Sequence, residues 1–199
     1  MKETKNAKIK KEIFRKILHT FSLTTYFVYV KFGIENTFSY IIICLITSLI
    51  LEIIRLKAFN FFPLKWIVKI VEREGEQWKL GAHVYFFIGS FFAILISWNE
   101  KAIISILSAA FSDAIAAIIG ISLGKMPNPI NRNKKIEGSL AGMITTFFIV
   151  YIFMNKLLDP LILAVIFLVT DCINNAKIND NMMLPILFSA TLNILGLLK

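Results

Sequence analysis

The amino-acid sequence predicts an all-α integral membrane protein, and three observations carry that prediction. Hydrophobic residues make up 57% of the 199 residues and charged residues only 18%, whereas soluble domains carry about a quarter charged residues. The apolar residues form runs of 16 to 22 residues, and about 20 apolar residues span the hydrocarbon core of a bilayer. Helices are predicted rather than barrel strands because the runs lack period-two alternation.

Seven of these runs are predicted to cross the membrane. They are Ile17–Phe32, Thr37–Ile54, Gly81–Trp98, Ala102–Leu123, Ser139–Met154, Leu157–Ile173 and Met182–Leu198. Because the spans leave only a basic tail (1–16), two longer polar loops and short connectors, we expect one polytopic membrane domain over residues 1–199.

The Lys and Arg residues lie mostly on one side of these spans. Eighteen of them fall in segments 2–16, 55–79 and 125–135 and at Lys177, and four fall on the opposite side. The positive-inside rule therefore places the amino terminus and both long loops in the cytoplasm, at a cell membrane. This topology accounts for most of the net charge of +9, so binding to nucleic acid is not expected.

An interfacial helix is predicted in the second cytoplasmic segment. Pro63 precedes a run of apolar residues, and the charged residues Lys65, Lys69, Glu72 and Glu76 recur at spacings of four, three and four. This pattern is typical of a helix that lies along the membrane surface, with Pro63 near its start.

Asp113 is the one acidic residue at the centre of a predicted span. A charged Asp at that depth costs about 2.5–3.5 kcal/mol on insertion scales, so it should face protein or water. Small residues share its side of the helix, which permits close packing or a cavity wall. A structural hydrogen bond to a neighbouring helix is the alternative to a functional role.

Other ionisable residues lie near the cytoplasmic ends of the first three spans. His19 is in the first span, and Glu52 and Arg55 are three residues apart, as in a helix-end ion pair. His83 opens the third span and fits an interfacial histidine. A zinc site is not expected, because the sequence has no Cys/His cluster.

The segment from Ser112 to Gly142 has the features of a polyphosphate site. Four cations lie between two glycine-rich helix ends, where glycines permit close backbone approach and the next helix offers amide groups at its amino terminus. The residues concerned are Gly120, Gly124, Lys125, Arg132, Lys134, Lys135, Glu137, Gly138 and Ser139. A topology signal with no ligand is the alternative explanation of the charge.

A second polar patch follows the sixth span on the same predicted side. It includes Asp171, Asp180 and Asn181, and such Asn- and Asp-rich runs usually form turns. If the patch shares a site with the basic loop, Asp113 and a second carboxylate such as Asp180 are candidates to hold Mg²⁺ against phosphates.

These motifs resemble the family of dolichol kinases, phytol kinases and CTP-dependent diacylglycerol kinases. The resemblance rests on SDAIAAIIGISLGK and KKIEGSLAG within 112–142, on DNMMLP at 180–185, and on Arg15-Lys16-x-x-His19 and Arg73-x-x-Glu76. It implies a cytoplasm-facing site that uses CTP and a divalent metal to phosphorylate a membrane lipid alcohol, releasing CDP.

On this basis each candidate residue is expected to have a role. Asp113 and Asp180 would hold Mg²⁺, the loop cations would clamp phosphates, and Asn181 would orient the metal shell or the nucleotide. His19, Asp113 and Asp180 all remain candidates for the general base.

Three positions depart from the usual family pattern: Ser112 replaces Gly, Lys134-Lys135 replaces Lys-Ser or Lys-Thr, and Asp171 stands where Glu is common. The acceptor therefore stays open among polyprenol, phytol-like alcohol and diacylglycerol. KKIEGSLAG is also similar to phosphatidate cytidylyltransferases, which make a CDP-lipid, but DNMMLP does not match their carboxyl-terminal motif. A transporter or scaffold would explain the spans but not the convergence of these motifs.

Overall fold

The computed structural model of the chain describes residues 22–59, 80–132, 134–173 and 179–197. These residues form six helices and no strand. The helices are α1 (Ser22–Lys57), α2 (Ala82–Ile96), α3 (Glu100–Ser122), α4 (Ile136–Met154), α5 (Leu158–Ile173) and α6 (Asp180–Leu197). The basic tail, His19, the predicted interfacial helix and residues 174–178 lie outside the described residues.

Helix α1 consists of two helical sections that fold back on each other at Gly33. The backbone of Gly33 has φ 79° and ψ −178°, a combination that essentially only glycine adopts. Thr24 Oγ1 and Tyr40 Oη are 2.6 Å apart, whereas a straight helix would separate residues 16 apart by roughly 24 Å. Sections 22–32 and 34–57 therefore form a hairpin. The first section is the described part of the predicted span Ile17–Phe32, and the second includes the predicted span Thr37–Ile54.

The prediction of an all-helical fold is confirmed for the residues that the structure describes. Four helices, α1, α3, α4 and α6, are long and apolar enough to cross a membrane, and α2 is a shorter apolar helix. From α2 to α6, the helix ends lie within three residues of the predicted span ends. The count of seven membrane spans stays a prediction.

Helix α3 forms the centre of the bundle, because α1, α2, α4 and α6 all pack against it. Its contacts with α4 step by four residues in opposite directions, which defines an antiparallel register. Gly120 meets Gly138, Ala116 meets Gly142, and Ser112 meets Thr146. The small side chains let the two helices approach closely, and this register places the loop 125–135 at one end of the bundle.

Candidate active site

Lys134 lies at the centre of a polar network at that end of the bundle. Its Nζ donates hydrogen bonds to Asp171 Oδ1 and to Asp180 Oδ2, each at 2.6 Å. Ser139 Oγ donates to the other oxygen of Asp171, also at 2.6 Å. We call these four residues the Lys134 network; it joins the loop to α4, α5 and α6.

Within this network Asp171 is the fixed carboxylate. Both of its oxygens are bonded, and its side chain is only 5% exposed, against 14% for Asp180. One turn earlier on the same face of α5, the buried Phe167 ring fills the space in front of Gly142, where a Cβ would clash with it. Asp171 is therefore held by a close contact between α5 and α4.

Lys134 stays protonated in this network. Burial acts to lower the pKa of the Lys134 ammonium, but the charges of Asp180 and Asp171 and their hydrogen bonds outweigh it, so the pKa is raised. An ammonium has three donors, and the carboxylates take two. In the described part of the chain, no acceptor bonds the third, and the side chain is 27% exposed.

The loop 125–135 is tied down at both of its ends. The carboxylate of Glu137 accepts hydrogen bonds from the backbone N–H groups of Lys125, at 2.8 Å, and Met126, at 3.0 Å. The backbone of Ile136 donates to Met126, and that of Asn128 to Lys134. Glu137 therefore organises the loop, a role that its spacing in the sequence did not indicate.

The glycines around the loop are positions where the chain packs tightly against itself. A Cβ at Gly138 would lie 2.5 Å from the Ala116 carbonyl oxygen, and one at Gly124 would lie 2.6 Å from Cβ of Lys135 and would clash with the Gly120 carbonyl oxygen. These glycines set the spacing of α3 and α4, and a role for them in phosphate binding stays a prediction.

Asp113 lies deeper in the bundle than the Lys134 network. In the antiparallel register Ser139 is opposite residue 119 of α3, so Asp113 is roughly 9 Å farther along the axis from the loop. The neighbouring Ser112 is fully buried and accepts a hydrogen bond from Thr146 Oγ1 at 2.7 Å. Ser112, where the family often has glycine, thus contributes to the packing of α3 against α4.

Asn181 lies where the amino terminus of α6 meets the middle of α2. Asn179 Oδ1 accepts from the backbone and the side chain of Asn181. A Cβ at Gly89 would lie 2.7 Å from the Met182 carbonyl oxygen and 3.0 Å from that of Asn181. Pro185 has no N–H to offer the Asn181 carbonyl oxygen, so this acceptor lies outside the helical ladder.

The structure thus brings together Lys134, Ser139 and Asp180 from the predicted site residues. Arg132 and Lys125 are exposed on the loop, and the side-chain carbons of Lys135 pack near Gly124. Asp171, Asn179 and Gly89 were not predicted as site residues. Two features of the sequence pointed to Asp171: its place in the polar patch after the sixth predicted span, and its position where the resembled family commonly has Glu.

The residues that the structure describes fit Mg²⁺ only in company with a nucleotide. They include no group of three or more His, Cys, Asp or Glu side chains able to hold a metal ion. Mg²⁺ commonly uses one or two carboxylates together with substrate phosphates and water. Asp113 and Asp180 supply the type of ligand required, so the donor chemistry is compatible with that mode.

A second buried carboxylate lies away from this network. Glu52 Oε2 accepts from Arg55 Nε at 2.9 Å, and Glu52 Oε1 is 3.5 Å from His83 Nε2. Glu52 is 2% exposed, and Gly81 packs so closely that a Cβ there would lie 2.6 Å from its Oε1. These residues, which we call the Glu52 cluster, join the end of α1 to the start of α2.

Three curated proteins show what this chain is similar to. It is 27% identical over 141 residues to CTP-dependent diacylglycerol kinase 1 of Eremothecium gossypii, covering 68% of this chain and 44% of that protein. The protein of the same name in Saccharomyces cerevisiae is 28% identical over 144 residues, covering 68% and 49%. Probable phytol kinase 1, chloroplastic, of Glycine max is 31% identical over 86 residues, covering 42% and 28%.

These relatives confirm the resemblance that the motifs indicated, to diacylglycerol and phytol kinases. The chain spans less than half the length of each of the three. No family model matches the chain. No solved structure matches it.

Proposed function

We propose that this protein is a CTP-dependent lipid kinase that transfers the γ-phosphoryl group of CTP to the hydroxyl of a membrane lipid alcohol. The bond between the γ-phosphorus and its bridging oxygen breaks, a bond to the lipid oxygen forms, the hydroxyl proton is released, and CDP leaves. The observation that carries the proposal is the Lys134 network, at the base of a cationic loop, in a chain similar to CTP-dependent diacylglycerol kinases.

We assign the proposed roles by how far each residue lies from the loop 125–135 along the helix bundle. Lys134, with Arg132 and Lys135, contacts the phosphates, since ammonium and guanidinium groups bind them through charge-assisted hydrogen bonds. The amino terminus of α4 favours the same anion, because Lys135 provides no side-chain cap there. Mg²⁺, when bound with the nucleotide at Asp113 and Asp180, supplies charge neutralisation for phosphoryl transfer.

Asp113 is proposed to act at the reacting end of the nucleotide. It lies farther from the loop than Lys134 does, on the side from which a lipid hydroxyl would come out of the bilayer. Asp113, Asp180 and His19 remain the candidates for the base that accepts the hydroxyl proton. The names of the relatives favour diacylglycerol or a phytol-like alcohol as acceptors, and the family resemblance adds polyprenols.

Product analysis tests the reaction. Purified protein receives γ-labelled CTP, Mg²⁺ and, in separate assays, diacylglycerol, phytol and a polyprenol. We expect CDP and a labelled lipid phosphate from at least one acceptor. Pyrophosphate together with a CDP-lipid would instead assign the chain to the cytidylyltransferases, and no turnover with any acceptor would favour a transporter or scaffold.

Labelling from either side of the membrane tests the orientation. Ile130, in the loop, and Asn99, before α3, are both exposed. A cysteine at Ile130 should react with an impermeant thiol reagent only from the cytoplasmic side, and one at Asn99 only from the outside. Reaction of both from the same side would contradict the seven-span topology.

A further inference from the structure

We infer that Asp171 is a positioning residue that holds the Lys134 ammonium in the orientation in which its remaining donor meets a phosphate of the nucleotide. This inference rests on the proposed function and adds a residue that acts through Lys134 rather than on the substrate.

The first step concerns the donors of Lys134. An ammonium on a flexible four-carbon chain has no preferred direction of its own. Two bonds of 2.6 Å, to Asp171 and to Asp180, remove that freedom. Because the three N–H bonds have fixed angles between them, fixing two of them also fixes the third.

The second step separates the two carboxylates. Asp171 is bonded through both oxygens and is buried on the α4–α5 contact, with Ser139 as its second partner. Asp180 is more exposed and is the first residue of α6. Asp171 is therefore the more deeply buried of the two reference points for Lys134.

The third step is a charge argument. A lysine without carboxylate partners would attract any anion, whereas two carboxylates leave this group with a net charge of about −1. The carboxylates lower the general attraction for anions and keep one directed hydrogen bond. Such a lysine suits the placement of one phosphate oxygen better than the capture of a polyanion from solution.

A double-mutant cycle tests whether Asp171 acts through Lys134. The variants are Asp171→Asn, Lys134→Met and the double variant, in the full-length protein. Asp159→Asn is the matched control, because Asp159 is an equally buried carboxylate at the other end of the same helix. The readouts are KM and kcat for CTP, KM for the lipid, and the affinity for inorganic tripolyphosphate.

We expect Asp171→Asn to raise the KM for CTP and to weaken tripolyphosphate binding about tenfold or more, because the loss of the directed hydrogen bond from Lys134 to a charged phosphate outweighs the removal of one negative charge. The KM for the lipid should stay within about twofold, and Asp159→Asn should leave nucleotide affinity unchanged. The double variant should be no worse than Lys134→Met alone, since neighbours that act as one unit are not additive.

Two results would overturn the inference. One is additivity of the Asp171 and Lys134 effects, which would give Asp171 a separate role. The other is unchanged tripolyphosphate affinity in folded Asp171→Asn, which would leave it a purely structural residue. Failure of the proposed function is a distinct outcome: the wild type would then show no CTP-dependent transfer, while the cycle could still be read from tripolyphosphate binding.

Discussion

The Lys134 network and the Glu52 cluster both bury a carboxylate beside a cation, but they are assembled differently. Glu52 and Arg55 are three residues apart on one helix, and their pairing follows from helical spacing. Lys134 is 37 residues from Asp171 and 46 from Asp180, so only the packing of several helices brings them together. Glu52 and Arg55 therefore form a local ion pair at the end of one helix, whereas the Lys134 network is a polar group that helix packing assembles at the candidate site.

The two groups also differ in their remaining hydrogen-bonding capacity. The Glu52 cluster surrounds one carboxylate with Arg55 and His83, so that the carboxylate is the satisfied centre. The Lys134 network surrounds one ammonium with two carboxylates and keeps a donor that no described residue uses. The remaining N–H donor of Lys134, beside a cationic loop, can bind an anionic substrate. The carboxylate of Glu52 has its partners within the protein and helps to hold α1 against α2.

The largest expected effect is that of Asp113, and it tests whether this deeper carboxylate acts together with the Lys134 network in the candidate active site. Asp113→Asn keeps the shape of the side chain and removes its charge. Phosphoryl transfer should fall about 10²–10⁴-fold, the range for a positioned acid–base group, while the protein inserts and purifies normally. Activity within a few-fold of wild type, at equal protein and saturating Mg²⁺, would leave Asp113 a structural residue.

Lys134→Met breaks the network at its centre. We expect kcat/KM for CTP to fall about 100-fold, from the loss of a charged hydrogen-bond donor. Buried Asp171 and partly exposed Asp180 are left without their cation, so the free energy of unfolding should fall by about 3 kcal/mol, the lower end of the cost of breaking a buried ion pair. Lys135→Met removes the same charge one residue away and should leave stability nearly unchanged in thermal unfolding; an equal loss there would argue against the network.

Glu52→Gln is the corresponding change in the Glu52 cluster. It leaves the largely covered Arg55 side chain, 9% exposed, with a weaker neutral partner, so the free energy of unfolding should fall by about 1–3 kcal/mol. The specific activity of the folded fraction should stay within about twofold. A selective loss of CTP affinity without a loss of stability would place the Glu52 cluster in the active site and remove the distinction drawn above.

Ser139→Ala tests the periphery of the Lys134 network. It deletes one hydrogen bond to Asp171 and leaves the bond between Asp171 and Lys134 in place. The KM for CTP should rise about 3- to 10-fold, which corresponds to one ordinary hydrogen bond. Thr145→Ala, which removes a hydroxyl bonded within the same helix, should change it little, and equal effects of the two would reduce Ser139 to a helix-packing residue.

The smallest expected effect is that of pH on Lys134. The pKa of Lys134 is raised in the folded protein. The ion pairs of Lys134 therefore stabilise the fold fully below the ordinary lysine pKa of 10.5, and this stabilisation is lost only as the pH rises through the higher pKa of the folded state. At about pH 9 the amine of Lys134 should therefore be acylated more slowly than that of exposed Lys125, as read by mass spectrometry. Faster modification of Lys134 would show that the two carboxylates do not hold it.

The helices were predictable from the sequence, whereas most of the site was not. Continuous apolar runs define α2 to α6 to within three residues at each end, because burial in a bilayer or bundle constrains whole segments. The cations of the loop were predicted as a group. Their division into Lys134, which binds carboxylates, and exposed Arg132 depends on how α4 meets α5 and α6.

Asp171 shows why the rest could not be predicted. Its distance from Lys134 depends on the contact of Phe167 with Gly142 and on the α3–α4 register, and hydropathy patterns do not encode these contacts. The small residues at 116, 120, 138 and 142 carried part of that signal, since they mark a close antiparallel crossing. A prediction of the α3–α4 crossing from these small residues would have placed Ser139 close to Gly120, but it would not have placed Ser139 close to Asp171.

Gly33 obeys a different constraint from the glycines of the α3–α4 contact. An added Cβ at Gly33 would meet nothing within 4 Å, so an L-alanine has room there and is excluded only by the handedness of its own backbone. Gly124 and Gly138 are limited by space, because an added Cβ at either position would meet neighbouring atoms. A D-amino acid favours the positive φ that Gly33 adopts. A D-alanine introduced at position 33 by semisynthesis should therefore keep the same backbone angles and stiffen the turn between the two sections of α1.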